Sequence, residues 1–270
     1  MNLSTYSKDQ DVNSFIKWIE PRLSNENSFQ HSYTTSKKPI KTFKFNSIYS
    51  AFEKYEWDKK DFCKNQEILN TYSEKINEGI KNDNNDQVKS GCKNILIWGG
   101  VYKKGNKERI NSEKTKIVDY LSKRKKDIIL DQYDSEKSSL SNIYCSSGFS
   151  KIYSTIIDNF IIYDSRVSCA LCYLIKLYAE ENSKKEIPEC LKFAYSVGNG
   201  KNNKKNRNPN KEKLKFINLS PYNYLKYNII ASWLLKLTID KTKSKFNDLP
   251  ENIQLRALES ALFMIGYKIN

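Results

Sequence analysis

The sequence predicts a mainly α protein. Apolar residues recur three and four positions apart through most of its 270 residues, and no regular alternation of strands with helices marks a parallel sheet. No internal repeat at solenoid periods is present either. The first 45 residues hold one amphipathic piece, from Val12 to Ile19, with Pro21 as its expected stop and a polar connection through Pro39 behind it. Residues 1–45 are therefore expected to form a peripheral arm, and residues 46–270 a helical domain in one body or two lobes.

From Ser47 the helical spacing returns. Ile48, Phe52 and Tyr55 mark one helix, and Phe62, Ile68, Tyr72 and Ile76 the next. The polar run at 82–86 breaks the pattern. The apolar run from Ile95 to Trp98 then ends on Gly99 and Gly100, which reads as a helix end followed by a tight turn. Lys107 to Lys126 is polar apart from Ile110, Ile117, Val118 and Leu121, so a surface helix with one buried stripe is expected. Val167, Leu171, Leu174 and Tyr178 follow at offsets of four, three and four and predict a buried helix from Asp164 to about Ala179. Pro221 is expected in the first turn of a helix running through Trp233 to Ile239, and a last helix follows Pro250.

Charge narrows the partner. Lys and Arg number 46 against 31 Asp and Glu, a net charge of +15, which favours a polyanion, and nucleic acid before other polyanions. No stretch reaches the roughly 18 uninterrupted apolar residues of a spanning helix, and the polar N-terminus lacks a signal peptide's apolar centre. A cytoplasmic protein without membrane contact, acting as a monomer, is expected. The densest basic segment lies between Gly198 and Lys215, where Lys201, Lys204, Lys205, Arg207, Lys211, Lys213 and Lys215 face the single acid Glu212. It reads either as a solvated loop or as a clamp on a phosphate backbone.

Six cysteines without an export signal imply reduced thiols, and the Cys169–Cys172 pair, inside an apolar helical run, implies core packing. No metal and no organic cofactor are expected. The single histidine, His31, lies in a polar stretch and is expected at the surface. Its isolation disfavours Ser-His-Asp and Cys-His nucleophile pairs, zinc deaminase sites and two-histidine metal sites, and leaves carboxylates and lysines to carry any chemistry.

The informative segment is Ser147 to Ala170, in which a glycine-containing turn is followed by Lys151, an apolar stretch, the extended run Phe160 to Tyr163, and Asp164 opening a helix. Asp164 is an expected N-cap, and the helix N-terminus would favour its ionised form. A fixed carboxylate beneath a sugar stabilises the positive charge that develops when an N-glycosidic bond breaks, and an uncharged lysine amine at the same sugar would attack the anomeric carbon. On the residues alone, Asp164 is equally a helix cap and Lys151 equally a solvated turn lysine. Arg166 either contacts phosphate or pairs with an acidic neighbour. Trp98, before its two glycines, either packs or stacks on a base.

In this segment the chain resembles the helix-hairpin-helix DNA glycosylase superfamily. It is especially similar to the prokaryotic group with an 8-oxoguanine-glycosylase-like fold, through Trp98-Gly99-Gly100, Tyr163 to Val167, and Arg207-Asn208-Pro209 in that order. The resemblance implies a helical glycosylase fold that flips and excises a base from double-stranded DNA, with Asp164 and Lys151 catalytic. It also implies Gly148 and Ser150 in a hairpin against phosphate, and Arg166, Lys201, Lys204, Lys205 and Arg207 on DNA. Trp98 would belong to the base pocket. The substrate it implies is a modified base, either glucosylated hydroxymethylcytosine of phage DNA, excised in anti-phage defence, or an oxidised purine in repair. The alternative is a non-catalytic nucleic-acid-binding protein that retains the hairpin.

Overall fold

The computed structural model describes residues 1–36, 38–112, 116–135, 140, 143–198 and 206–269. Eleven α-helices and two two-stranded sheets occur among them, so the mainly α expectation holds. No helix of the described residues is long and apolar enough to cross a membrane.

The helix labelled α9, Ser165–Glu181, runs through the core. Every side chain from Val167 to Ile175 is buried, so the four-three-four stripe of the sequence is only part of a helix covered on all sides. Against it pack α2 (Gln10–Ser24) and α11 (Glu251–Ile265), while α10 (Tyr224–Lys241) packs on both of those. After α11 the chain crosses the first turn of α9 at backbone contact. A Cβ on Gly266 would lie 1.9 Å from the Arg166 carbonyl oxygen, so only glycine fits there. α10 begins at Tyr224, later than expected, because Pro221 lies in a preceding turn rather than in the helix.

A helical hairpin forms the second layer. α4 (Phe62–Lys81) and α5 (Asn85–Trp98) turn back on each other at Asn82–Asn84, with Asp83 at φ +50°. Gly79 and Gly91 set their spacing, since added Cβ atoms would fall 2.7 Å from Val88 Cγ2 and 2.5 Å from Ile76 Cγ1. The single surface helix expected over Lys107 to Lys126 is instead two, α6 (Lys104–Ile110) and α7 (Ile117–Asp127). The expected stripe survives, with Ile110, Ile117, Val118 and Leu121 all buried.

Residues 1–45 are not a peripheral arm. α1 (Leu3–Lys8) leads into α2, whose Val12, Phe15, Ile16, Ile19 and Leu23 are all buried, and α2 continues past Pro21 to Ser24. Its apolar face needed cover, and α9, α10 and α3 (Ile48–Glu53) supply it. The connection read as polar is a β-hairpin. β1 (His31–Thr34) pairs antiparallel with β2 (Thr42–Phe45), His31 opposite Phe45 and Tyr33 opposite Phe43. Its alternation puts His31 and Tyr33 inside. His31 is therefore a core residue rather than a surface one, 3% exposed, ring-stacked with Phe29 and Phe45, with Nε2 3.1 Å from the Ile265 carbonyl. Burial, partly opposed by backbone contacts at Ile265 and Lys268, lowers its pKa from the ordinary value and favours the neutral ring.

Because Phe15 is fully buried and stacks edge-on against Tyr178 of α9, Phe15→Ala is expected to cost about 3–5 kcal/mol, as cavity-forming Phe replacements do. Urea denaturation followed by far-UV circular dichroism measures this. A cost below about 1 kcal/mol, the scale of a surface substitution, would restore the peripheral reading of the arm.

Candidate active site

The site is built on an extended segment. Between α8 (Ser147–Tyr153) and α9, residues Phe160 to Tyr163 run buried and without a strand partner, so side chains must satisfy their backbone. Ile161 N–H donates to Ser232 Oγ at 3.1 Å, and the Ile161 carbonyl accepts from Asn228 Nδ2 at 2.9 Å. Ile162 N–H donates to Glu259 Oε2 at 2.7 Å. Tyr163 N–H donates to Ser150 Oγ at 2.7 Å, and the Tyr163 carbonyl accepts from the Tyr224 hydroxyl. Helices α8, α10 and α11 thus hold the segment, which delivers Asp164 to the N-terminus of α9.

Asp164 is the expected N-cap. Its Oδ1 accepts from the N–H groups of Arg166, at 2.9 Å, and Val167, at 3.2 Å. Its Oδ2 lies 3.4 Å from Lys151 Nζ, and Lys151 also donates to the Ser147 carbonyl at 3.2 Å. Burial pushes the Asp164 carboxyl upward. Lys151, Arg166 and the two capping N–H groups outweigh that push and leave it below its ordinary 3.8. The carboxylate is therefore ionised at neutral pH.

The pair lines a pocket whose walls include Trp57, Trp98, Tyr55 and Phe263. Trp57 Nε1 donates to the Trp98 carbonyl at 2.9 Å and Trp98 Nε1 to Asn65 Oδ1 at 2.8 Å, which fixes both indoles. Gly99 abuts the lysine stem: a Cβ there would fall 2.6 Å from Lys151 Cδ. The Trp98-Gly99-Gly100 element and the Tyr163–Val167 element, far apart in sequence, thus meet at one pocket. Glu259 and Arg256 of α11 complete the wall, ion-paired at 2.5 Å. Burial lifts the Glu259 carboxyl above its ordinary value, against the pull of Arg256 and the Ile162 N–H.

Of the residues expected on DNA, the described ones are structural. Gly148 lies in the first turn of α8 rather than in a turn between two helices. Ser146 caps that turn, and Asn106 fills the space where a Cβ would stand. Ser150 is fully buried, its hydroxyl held between Tyr163 N–H and Asn228 Oδ1. Arg166 lies over the rings of Phe263, at 4.1 Å, and Tyr267, at 5.0 Å, and is half-buried among them. Arg207, 7% exposed, donates from Nη1 to Ser165 Oγ at 2.9 Å and from Nε to the Tyr267 carbonyl at 3.2 Å. The arginine of the third element therefore braces the residue after Asp164 instead of meeting phosphate. Lys201, Lys204 and Lys205 lie outside the described residues.

Five wall residues, Tyr55, Trp57, Phe263, Glu259 and Arg256, were missed from sequence as parts of a site. Trp57 sits in a loop without periodicity, and Glu259 falls on the apolar face of α11, where a buried carboxylate was the one available signal. Lys103, Lys104 and Lys107, all exposed, follow Gly100 at the start of α6. Cys169 and Cys172 are buried free thiols in contact with backbone carbonyls, Cys169 with Arg207 and Ser196 and Cys172 with Phe193, as core packing requires. Among the described residues, Asp9, Asp11 and Cys190 could converge on a metal ion. Lys184 already pairs with Asp11 at 2.7 Å, and Asp9 both caps α2 and accepts from Cys190. Comparison with family models, curated proteins and solved structures gave no match to this chain.

The cap and the charge of Asp164 can be separated by pH. Asp164→Asn keeps a capping oxygen but loses the attraction to Lys151 and Arg166. A carboxyl lowered in the folded state contributes its full stability above the ordinary 3.8 and loses it as pH falls through the lower folded value. Wild type should therefore be more stable than Asp164→Asn from pH 5 upward, with the gap narrowing as pH falls below 3.8. A gap independent of pH would refute the ionised pair.

Proposed function

We propose that this protein is a DNA glycosylase of helix-hairpin-helix type that takes a modified base into the Trp57–Trp98 pocket and breaks its N-glycosidic bond. One observation carries the reading: an amine and an ionised carboxylate stand 3.4 Å apart at an open, aromatic-walled pocket in a protein of net charge +15. The reading rests on this Lys151–Asp164 pair and on the convergence of two of the three resembling elements, not on a glycine hairpin.

A flipped base enters with its faces against indole, which every base can stack on. The sugar then meets the pair. As the bond from C1′ to the base nitrogen breaks, its electrons leave with the base, which takes up a proton from Lys151 Nζ, and the positive charge left on the sugar is stabilised by Asp164. The free pair this leaves on the lysine nitrogen forms the bond to C1′, and one of the remaining N–H protons passes to O4′ as the C1′–O4′ bond breaks, giving the Schiff base. Asp164, held ionised, acts as an electrostatic partner and not as a proton store. Lys103, Lys104 and Lys107, at the start of α6, are candidates for phosphate anchors.

The test is a panel of duplexes carrying single modified bases, including glucosylated hydroxymethylcytosine and oxidised purines, incubated in chelator and then treated with alkali to reveal abasic sites. Strand cleavage should appear on at least one duplex. Asp164→Asn should lower its single-turnover rate about 100-fold or more while leaving DNA affinity nearly unchanged. Borohydride should trap wild type on DNA and should not trap Lys151→Ala. Base release without trapping would reassign the nucleophile to water, with Asp164 retained. DNA binding without base loss on any duplex would leave a non-catalytic binding protein.

A further inference from the structure

The pocket has a polar edge that the reaction above does not use. Glu259 and Arg256 lie on the same face of α11 and both line the wall that contains Asp164. Glu259 is 5% exposed, yet both of its hydrogen bonds, from Ile162 N–H and from Arg256, fall on Oε2. Its Oε1 accepts nothing from the described residues. The guanidinium of Arg256 likewise makes one hydrogen bond, through Nη1, and keeps its remaining donors uncommitted among the described residues. Glu259 and Arg256 thus bring an acceptor and donors side by side to the lining of a pocket that also holds four aromatic side chains.

That pairing has a complement among the bases. Setting Oε1 against a carbonyl oxygen would place two acceptors face to face, with a cost on the scale of an unmade hydrogen bond. An amino group beside a ring nitrogen acceptor satisfies both wall groups at once. Cytosine and adenine present that order on their pairing edge, whereas uracil, thymine, guanine and hypoxanthine present a carbonyl beside a ring N–H. Resting on the proposed base pocket, we infer that Glu259 and Arg256 read the pairing edge of the flipped base, Oε1 accepting from an exocyclic amino group and Arg256 donating to the ring nitrogen beside it. The substrate is then an amino-bearing base of cytosine or adenine type. The role is separate from catalysis, which stays with Lys151 and Asp164. It adds a second duty to Glu259, whose other oxygen holds the backbone of Ile162 two residues before the catalytic carboxylate.

The test uses the full chain and free nucleobases in matched pairs, cytosine with uracil and adenine with hypoxanthine, titrated against the fluorescence of the wall tryptophans. The amino member of each pair is expected to bind about tenfold more tightly or better. Glu259→Gln keeps a carbonyl oxygen for Ile162 N–H and Arg256 but turns an NH2 toward the position of Oε1, so the preference should flatten or reverse toward the carbonyl member. A melting curve checks its fold, and Arg256→Gln should weaken the amino members without reversing the preference. Equal binding of both members by wild type overturns the inference whatever the variants do, as does an unchanged preference in a folded Glu259→Gln protein. Excision confined to carbonyl-type bases also overturns it while leaving the glycosylase reading intact. Failure of every base to bind, together with failure of every duplex to lose a base, overturns both.

Discussion

The structure depends on burying a strand that has no sheet. A chain segment with every backbone donor and acceptor in the interior is normally tolerable inside a ladder, because neighbouring strands satisfy it. Phe160 to Tyr163 lacks neighbours, and five side chains from three helices substitute for them: Ser150, Asn228, Ser232, Glu259 and the Tyr224 hydroxyl. Each unmade bond would cost about 1–3 kcal/mol, so the arrangement is nearly all-or-none. It fixes the relative positions of α8, α10 and α11, and it aims the N-terminus of α9 at the pocket. Lys151 comes from α8, Glu259 and Arg256 from α11, and Asp164 from the end of the strand itself, so the site is a by-product of the way that strand is held.

Helical periodicity was legible in several helices that have a solvent side. The helix through Phe62 to Ile76, the glycine stop at Gly99 and α11 after Pro250 followed from spacing and punctuation, whereas the pairing of α4 with α5 as a hairpin did not. The failures share a cause. Val12 to Ile19 looked peripheral because it is short and flanked by polar residues, and its burial comes from α9 and α10, whose sequences lie far away. His31 looked solvated because its neighbours are polar, yet in a hairpin those neighbours are the outward half of an alternation whose inward half is His31 and Tyr33. Periodicity is a local signal, and in both places a distant partner decided the outcome.

The site was legible in its chemistry but not in its walls. Asp164 could be read because an N-cap is a local event, and Lys151 because its turn precedes that cap; their meeting at 3.4 Å belongs to the fold. The arginines were misread for a physical reason. A guanidinium near an acid in a basic chain suggests phosphate, but Arg166 found a cage of aromatic rings and Arg207 a backbone carbonyl and a hydroxyl, both available only once α9, α11 and the segment after Gly266 are packed together. Basic residues that hold a site together and basic residues that hold DNA are indistinguishable by composition.

Charge bookkeeping within the pocket bears on which role Lys151 takes in the proposed reaction. Three cations, Lys151, Arg166 and Arg256, surround two carboxylates, Asp164 and Glu259, in a region where burial weakens solvent screening. Were Lys151 to remain an ammonium throughout, an excess of positive charge would oppose the cationic sugar that forms as the glycosidic bond breaks. Arg256 is paired with Glu259, whereas Lys151 and Arg166 both act on Asp164, so the opposition would come from the charges that hold that carboxylate ionised, Lys151 first among them. In the proposed reaction that opposition ends when Lys151 passes a proton to the departing base, after which its nitrogen can bond to C1′ and Asp164 stands as the dominant charge beside the sugar. The same lysine would thus serve Asp164 twice, holding the carboxylate ionised before the bond breaks and leaving it unopposed afterwards.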